Sequence, residues 1–464
     1  MGAKTVALRG LASLTALFAI VLVSGCDVSP ETRLRRALAV QSSGVIRLPS
    51  GVIEVSAELQ VAPGAHDLTI LGQNTTLKAS KSFRGRAILI AESARNLRIQ
   101  NLDFDGNRAT FPEPLELAPP ENAFRVWYRS SGILCDQVTG LILNQIHLHE
   151  IRSFAILISR SSRIEISEVR VEDSGSLNAK GRNNGTGGIV IEEGSQVFRV
   201  SRSSFARIRG NALWTHSLLT SPRLRDGIFE SNRFDTVARD AIQVGHASNV
   251  QVQSNSMEHI GFPSEIVDVE NGGTPVGIDT AGNVDHSLYA GNRMFDINGK
   301  CFDLDGFHDG IVRKNMCANT RPAADYPFGH FGIVMNNTDP SVQVQNIEIS
   351  GNEFSGLKFG AVYLIGSGHH VIGNIFAPVN TAGCNETAAR FGCLYKADEP
   401  DLLQSGIYLG RGIARLEETR GNVIQLNQIS GHHMGRHCVV FGPGVSAQQN
   451  TVSGNTCTDE LPAR

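Results

Sequence analysis

Asp279, Asp303 and Asp305 are the residues of this 464-residue chain best suited to do chemistry together. They fall in two copies of a five-residue pattern of small, apolar, variable, apolar, variable residues: Gly277-Ile278-Asp279-Thr280-Ala281 and Cys301-Phe302-Asp303-Leu304-Asp305. In a strand the apolar positions face one way and the variable positions the other. If the two copies stack as neighbouring strands about 4.8 Å apart, with same-face residues roughly 6.6 Å apart, the three carboxylates form one cluster. They cannot all ionise freely, so at least one pKa should rise. A raised carboxylic acid beside an ionised carboxylate suits glycoside hydrolysis, in which one protonates the leaving oxygen and the other activates water or attacks the sugar. The same pattern makes Gln243 and Asn336 flanking hydroxyl binders. It sets His216, His246 and His308 close enough in register to tune or share a proton, and Trp214, Tyr363 and Tyr408 where they can stack on sugar faces. This chemistry requires no cofactor. Two other readings of the aspartates stay open: turn chemistry, as in Asp305-Gly306, and a calcium site.

The elements that must position these residues are legible as a repeat. The five-residue pattern also begins at Ala155, Gly188, Ala212, Ala241, Gly332, Ala361 and Gly406. Aligned, it predicts one outward column of Leu157, Val190, Trp214, Gln243, Asp279, Asp303, Val334, Tyr363 and Tyr408. A second column holds Ser159, Glu192, His216, Gly245, Ala281, Asp305, Asn336, Ile365 and Gly410. An independent signal supports the register: Asn232, Asn255, Asn292, Asn315, Asn352 and Asn374 recur at intervals of 23, 37, 23, 37 and 22 residues. The period is therefore about 22 to 23 residues, with two insertions of about 14, and describes a solenoid of β-coils. A solenoid grows by adding coils, so the length requires no second globular domain. The segments 107–131, 172–187, 259–275, 318–331 and 377–404 interrupt the period and are expected to gather over one side. They carry Trp127, Tyr128, Glu265, Asp268, Glu270, Arg321, Asp325 and His330. A formal charge of -3 with 19% charged residues excludes a polyanion binder, so no nucleic-acid partner is expected.

Lys4 and Arg9 precede an apolar run from Leu11 to Val23 that ends in Val23-Ser24-Gly25-Cys26. The run is too short for an ordinary membrane span. It resembles a bacterial lipoprotein signal, which implies cleavage before Cys26, lipid on that cysteine and a cell-envelope location facing the periplasm or the cell surface. Export would allow disulfides. Pairs close in sequence are Cys301 with Cys317, Cys384 with Cys393, and Cys438 with Cys457, leaving Cys135 as a buried thiol.

Residues 1–25 are thus read as signal, 26–42 as linker and a short capping helix, and 43–460 as coils, the whole being all-β and expected to be monomeric. The strands Leu68-Thr69-Ile70-Leu71 and Leu97-Arg98-Ile99-Gln100, running into Asn101-Leu102-Asp103-Phe104-Asp105, resemble the opening of single-stranded right-handed parallel β-helix proteins of the pectate-lyase-like superfamily. The resemblance implies a polysaccharide partner and, for the aspartates, glycosidic hydrolysis. The alternatives are a non-catalytic polysaccharide-binding or envelope protein, or a lyase or epimerase. The polygalacturonase-like Asp-Asp, Gly-His-Gly and Arg-Ile-Lys motifs and the epimerase-like Asp-Pro-His are absent. No catalytic residue is therefore transferred from those families. Lys300, Arg313 and Lys314 lie off the two columns, which argues against a lyase base.

Overall fold

The computed structural model describes residues 28–460, apart from 112, 182–185, 268–272, 386–392, 394–395, 397 and 413–414. The signal segment with Cys26, and the insertion acids Asp268 and Glu270, lie outside the described residues.

The chain opens with α1, Pro30–Val40. Ser29 accepts the Thr32 amide at 3.2 Å, and Pro30 suits a first turn that needs no amide donor. Leu34 and Leu38 are buried, as a helix covering the open end of a solenoid requires. From Gly44 onward the strands run along three parallel stacks. The first contains Phe154–Ser159, Gly187–Glu192, Asn211–His216, Ile242–Gln253, Val276–Asp285, Lys300–Asp305, Ile333–Asn336, Val362–Leu364 and Ile407–Leu409. Ser162–Ser167, Gln196–Ser201 and Leu224–Glu230 belong to the second, and Arg170–Glu172, Ser204–Ile208 and Arg233–Val237 to the third. Each coil passes once through every stack, which makes the fold a parallel β-helix. The inward column Ile156, Ile189, Leu213, Ile242, Ile278, Phe302, Ile333, Val362 and Ile407 is 0% exposed. Each such side chain contributes roughly 1.5–3 kcal/mol relative to an exposed one.

The recurrent asparagines form a ladder inside the turn between the second and third stacks. Asn232 donates from its backbone N–H and from Nδ2 to Oδ1 of Asn255, at 2.9 and 3.1 Å. Its Nδ2 also donates to the Val200 carbonyl at 3.0 Å. The same pattern runs through Asn292, Asn315, Asn352 and Asn374. It continues to Asn427 and Asn455, which the sequence reading did not include. The residue before each of these asparagines is left-handed, with φ of 55° at Ser231, 53° at Lys314, 57° at Leu426 and 66° at Gly454. Glycine accepts that conformation freely, whereas Leu426 is an uncommon occupant. This hid the seventh rung, along with its interval of 53 residues from Asn374.

Disulfides join Cys301 to Cys317, Cys384 to Cys393 and Cys438 to Cys457, as expected. Cys135 is a free, buried thiol whose pKa burial pushes up to about 12.

Removing one ladder amide strands buried donors and a buried carbonyl. Asn292→Ala should lower stability by about 2–4 kcal/mol, because the Asn255 amides and the Val252 carbonyl lose their partners. Glu353→Ala, beside the ladder but exposed, should stay within about 0.5 kcal/mol. Urea unfolding of both variants decides the matter, and equal losses would deny the ladder its role.

Candidate active site on the aspartate column

The register of the first stack is the one the pattern predicted. Gln243 pairs with Asp279, Asp279 with Asp303, and Asp303 with Val334, followed by Tyr363 and Tyr408. Asp305 pairs with Asn336 in the second column.

Two charged residues missing from the predicted columns complete the cluster. Lys300 bonds the Asp303 carboxylate through Nζ to Oδ2, with side chains only 11% and 13% exposed. Asp240 is buried and accepts the Val276 amide at 3.0 Å. A chain of amides leads into the cluster: Asn211 Nδ2 donates to Gln243 Oε1 at 2.8 Å, and Gln243 Nε2 donates to Asp279 Oδ2 at 2.5 Å. Asn211, Asp240 and Lys300 each sit immediately before the small residue of the pattern, at Ala212, Ala241 and Cys301. Alternation counted back from Leu213, Ile242 and Phe302 puts that position inside, yet at the corner where the strand begins Asn211 and Lys300 reach the outward face, which strand alternation does not anticipate.

Burial, reinforced by Asp240 and Asp303, raises the Asp279 pKa well above the ordinary carboxylate range. Burial lifts Asp240 to about 6 against the pull of Arg239. It lifts Asp305 to about 6 against a bond from Thr338. For Lys300, burial favours the neutral amine, but Asp303, Asp279 and Asp240 outweigh it and hold the pKa above its usual value. The carboxylates thus face this ammonium. His330 stands over Lys300, its amide donating to the Gly299 carbonyl at 3.1 Å. Burial and the charges of Lys300 and Lys358 push its pKa down to about 3, so the ring is neutral. Asp303 Oδ1 and His330 Nδ1 are both buried and find no hydrogen-bond partner among the described residues.

The other predicted residues are placed differently. His216 does not reach the aspartates: it stacks on Phe124 at 4.0 Å, lies 4.0 Å from Glu192, and burial depresses its pKa to about 4. His246 faces Arg223, Asp339 and Glu193. His308 is engaged by Asp309 at 2.7 Å and Asn283 at 3.2 Å. His216 ends the first-stack strand Asn211–His216, coils away from Asp305 along the stack, whereas His246 and His308 lie at the bend where the chain leaves the stack. Trp214 is roofed rather than open to sugar, packed against Phe124 at 5.0 Å in an apolar cluster with Tyr128, Phe154, Leu157 and Val190. The insertion 107–131 supplies that roof. Tyr363 and Tyr408 stack on each other at 6.0 Å and are 4% and 1% exposed, and the Tyr408 hydroxyl donates to Glu399 at 2.8 Å. Gln243 is spent on Asp279 and Asn211, so it positions the acid instead of meeting a hydroxyl. Asp305 accepts from the Thr338 amide at 2.7 Å and from its hydroxyl at 2.6 Å, a tie to the next coil and not to the backbone of its own Asp305-Gly306 turn. Asn336 stays half-buried beside it.

Residues 188–376 match the family described as right handed beta helix region. No curated protein matches the chain. Among solved structures, the pre-mature bacteriophage phi29 gene product 12 is similar with a TM-score of 0.58 and 12% identity, over 87% of this chain and 51% of that one. The chain thus spans about half the length of the phage protein. The polygalacturonase from Erwinia carotovora ssp. carotovora is similar with a TM-score of 0.51 and 14% identity, over 74% of this chain and 94% of the enzyme. At such identities the likeness is one of fold, and the fold is a right-handed parallel β-helix.

The cluster makes a pH signature. Asp240, raised in the fold, contributes stability that is complete below its unfolded pKa near 4 and is lost as pH rises through about 6. Asp240→Asn keeps an acceptor for the Val276 amide and cannot ionise. Between pH 4 and pH 8 the wild type should lose on the order of 3 kcal/mol relative to this variant in urea unfolding. Parallel pH profiles would show that Asp240 titrates normally.

Proposed function

We propose that this protein hydrolyses a glycosidic bond of a polysaccharide at the Asp279–Asp303 face. Asp279, whose pKa burial raises, serves as the general acid. Gln243 occupies its Oδ2, which leaves Oδ1 to carry the proton toward the leaving oxygen. Asp303, bonded by Lys300, serves as base or nucleophile. The observation that carries this reading is the pairing of Asp279 with Asp303 on neighbouring strands, where one carboxyl is buried with a raised pKa and the other is bonded by the Lys300 ammonium. The fold shared with a polygalacturonase supports a polysaccharide substrate.

Lyase or epimerase chemistry needs a base to take a proton from the sugar, and a lysine in that role must be neutral. Lys300 is in the cluster after all, but its carboxylate neighbours keep it protonated, which favours hydrolysis. The non-catalytic binding protein is favoured by one observation, the tie of Asp305 to Thr338 of the next coil.

Polysaccharides incubated with the wild type should release new reducing ends. Asp279→Asn and Asp303→Asn should each reduce release by at least about a hundredfold. His216→Gln, remote from the cluster, should leave it within about twofold. Release by Asp303→Asn equal to wild type would remove the assigned role.

The reading extends to an envelope location through lipid at Cys26, since the signal residues are followed closely by α1. In bacterial fractionation the full chain should partition with membranes, and Cys26→Ser should appear in the soluble fraction. Identical partitioning would contradict the anchor.

A further inference from the structure

The third stack carries a separate set of functional groups on its outer face. Thr76, Asp103, His147 and Arg170 follow one another in one column, and Lys78, Asp105, His149 and Glu172 in the next. Asp103, His147 and His149 bring one donor atom each to within 4.8 Å of one another. His147 Nδ1 stands 2.7 Å from Asp103 Oδ1, and His149 Nε2 stands 3.5 Å from Asp103 Oδ2. Both rings approach the one carboxylate closely enough to share a proton with it, and a cation at the same place would replace that proton.

From this geometry we infer that Asp103, His147 and His149 hold one divalent metal ion of the zinc class. Two imidazoles and a carboxylate suit a transition ion, whereas calcium and magnesium take oxygen ligands throughout. Tetrahedral ligand bonds of about 2.0–2.2 Å set donor atoms about 3.3–3.6 Å apart, so the 3.5 Å His149–Asp103 pair already fits and the 2.7 Å His147–Asp103 pair opens by a small ring rotation as the ion replaces the shared proton. The surroundings match as well. His147 Nε2 faces Glu172 Oε2 at 3.5 Å, within a small rotation of the carboxylate–histidine–metal relay that fixes tautomer and ring orientation. Glu172 is held by Arg170 Nε at 2.7 Å, and Thr76 Oγ1 donates to Asp103 Oδ2 at 2.9 Å. Asp103 and His147 line an open groove of about 700 Å³ with Asn74, Asn101 and Gln145. Three protein ligands leave a coordination position facing that groove, for water or for an oxygen of a ligand lying in it. The second three-donor group among the described residues, Glu192, Glu193 and His216, differs in kind. Its carboxylates accept amides of Phe124, Arg125 and Leu218.

The site does not rest on the hydrolase reading and is tested without activity. The full chain, stripped with EDTA and dialysed, is titrated with zinc chloride by calorimetry, with metal analysis after gel filtration. One equivalent should bind to the wild type, and bound cobalt should give the visible bands of a low-coordinate ion. His147→Gln and His149→Gln should each weaken binding by more than about tenfold, and Glu172→Gln, which removes only the orienting carboxylate, by about 10- to 100-fold. Circular dichroism without metal identifies any variant that fails to fold, and the remaining variants then carry the test. Retention of less than half an equivalent by the wild type, or equal affinity in the folded variants, overturns the site.

Discussion

Parallel pairing of each coil with the next is the interaction on which the molecule depends, and the asparagine ladder makes its register unambiguous. Backbone pairing alone tolerates sliding, since any strand offers donors and acceptors at a regular spacing. A buried amide does not. Asn315 Oδ1 accepts both the N–H and the Nδ2 of Asn292 while its own Nδ2 reaches the Tyr289 carbonyl, and a shift of one residue would bury several unpaired groups. The ladder thereby fixes which residue of each coil faces which neighbour across the fold.

The same constraint produces the aspartate column. Strand spacing brings Asp279 and Asp303 together irrespective of their mutual repulsion, and the electrostatic cost falls on their protonation states. Lys300 bonds Asp303, while Asp279, with its charge buried and an amide donor as its close partner, is pushed toward the neutral acid. Separation of two like groups into an acid and a conjugate base is how one site runs both halves of acid–base chemistry. On the third stack, stacking at the same spacing places Asp103 under His147 and Asp105 under His149. One geometric rule thus generates two chemically distinct faces.

Much of this was legible from residue order. The five-residue pattern gave the whole outward column from Leu157 to Tyr408 in its observed register, because in-and-out alternation and coil period are local properties of a strand. The three disulfides followed from short separations in sequence. Asn427 was overlooked because Leu426 occupies a left-handed position where glycine is the usual signal. Lys300 and Asp240 were not legible because alternation counted back from Phe302 and Ile242 places them inside, whereas the corner before each strand breaks the alternation.

What the sequence determined by itself, then, was the winding and the facing of side chains, since both depend on hydrophobic period and turn residues that neighbours in the chain decide. Tertiary structure alone decided accessibility and partnership. Trp214, Tyr363 and Tyr408 face outward as expected but are covered, because insertions distant in sequence fold over them. His246 and His308 are near the aspartates in count but not in space, because the chain bends away after the strand, and His216 lies coils away along the stack under its own roof. Whether an outward residue meets solvent, a roof or a charge depends on segments tens of residues away, and no local periodicity carries that information.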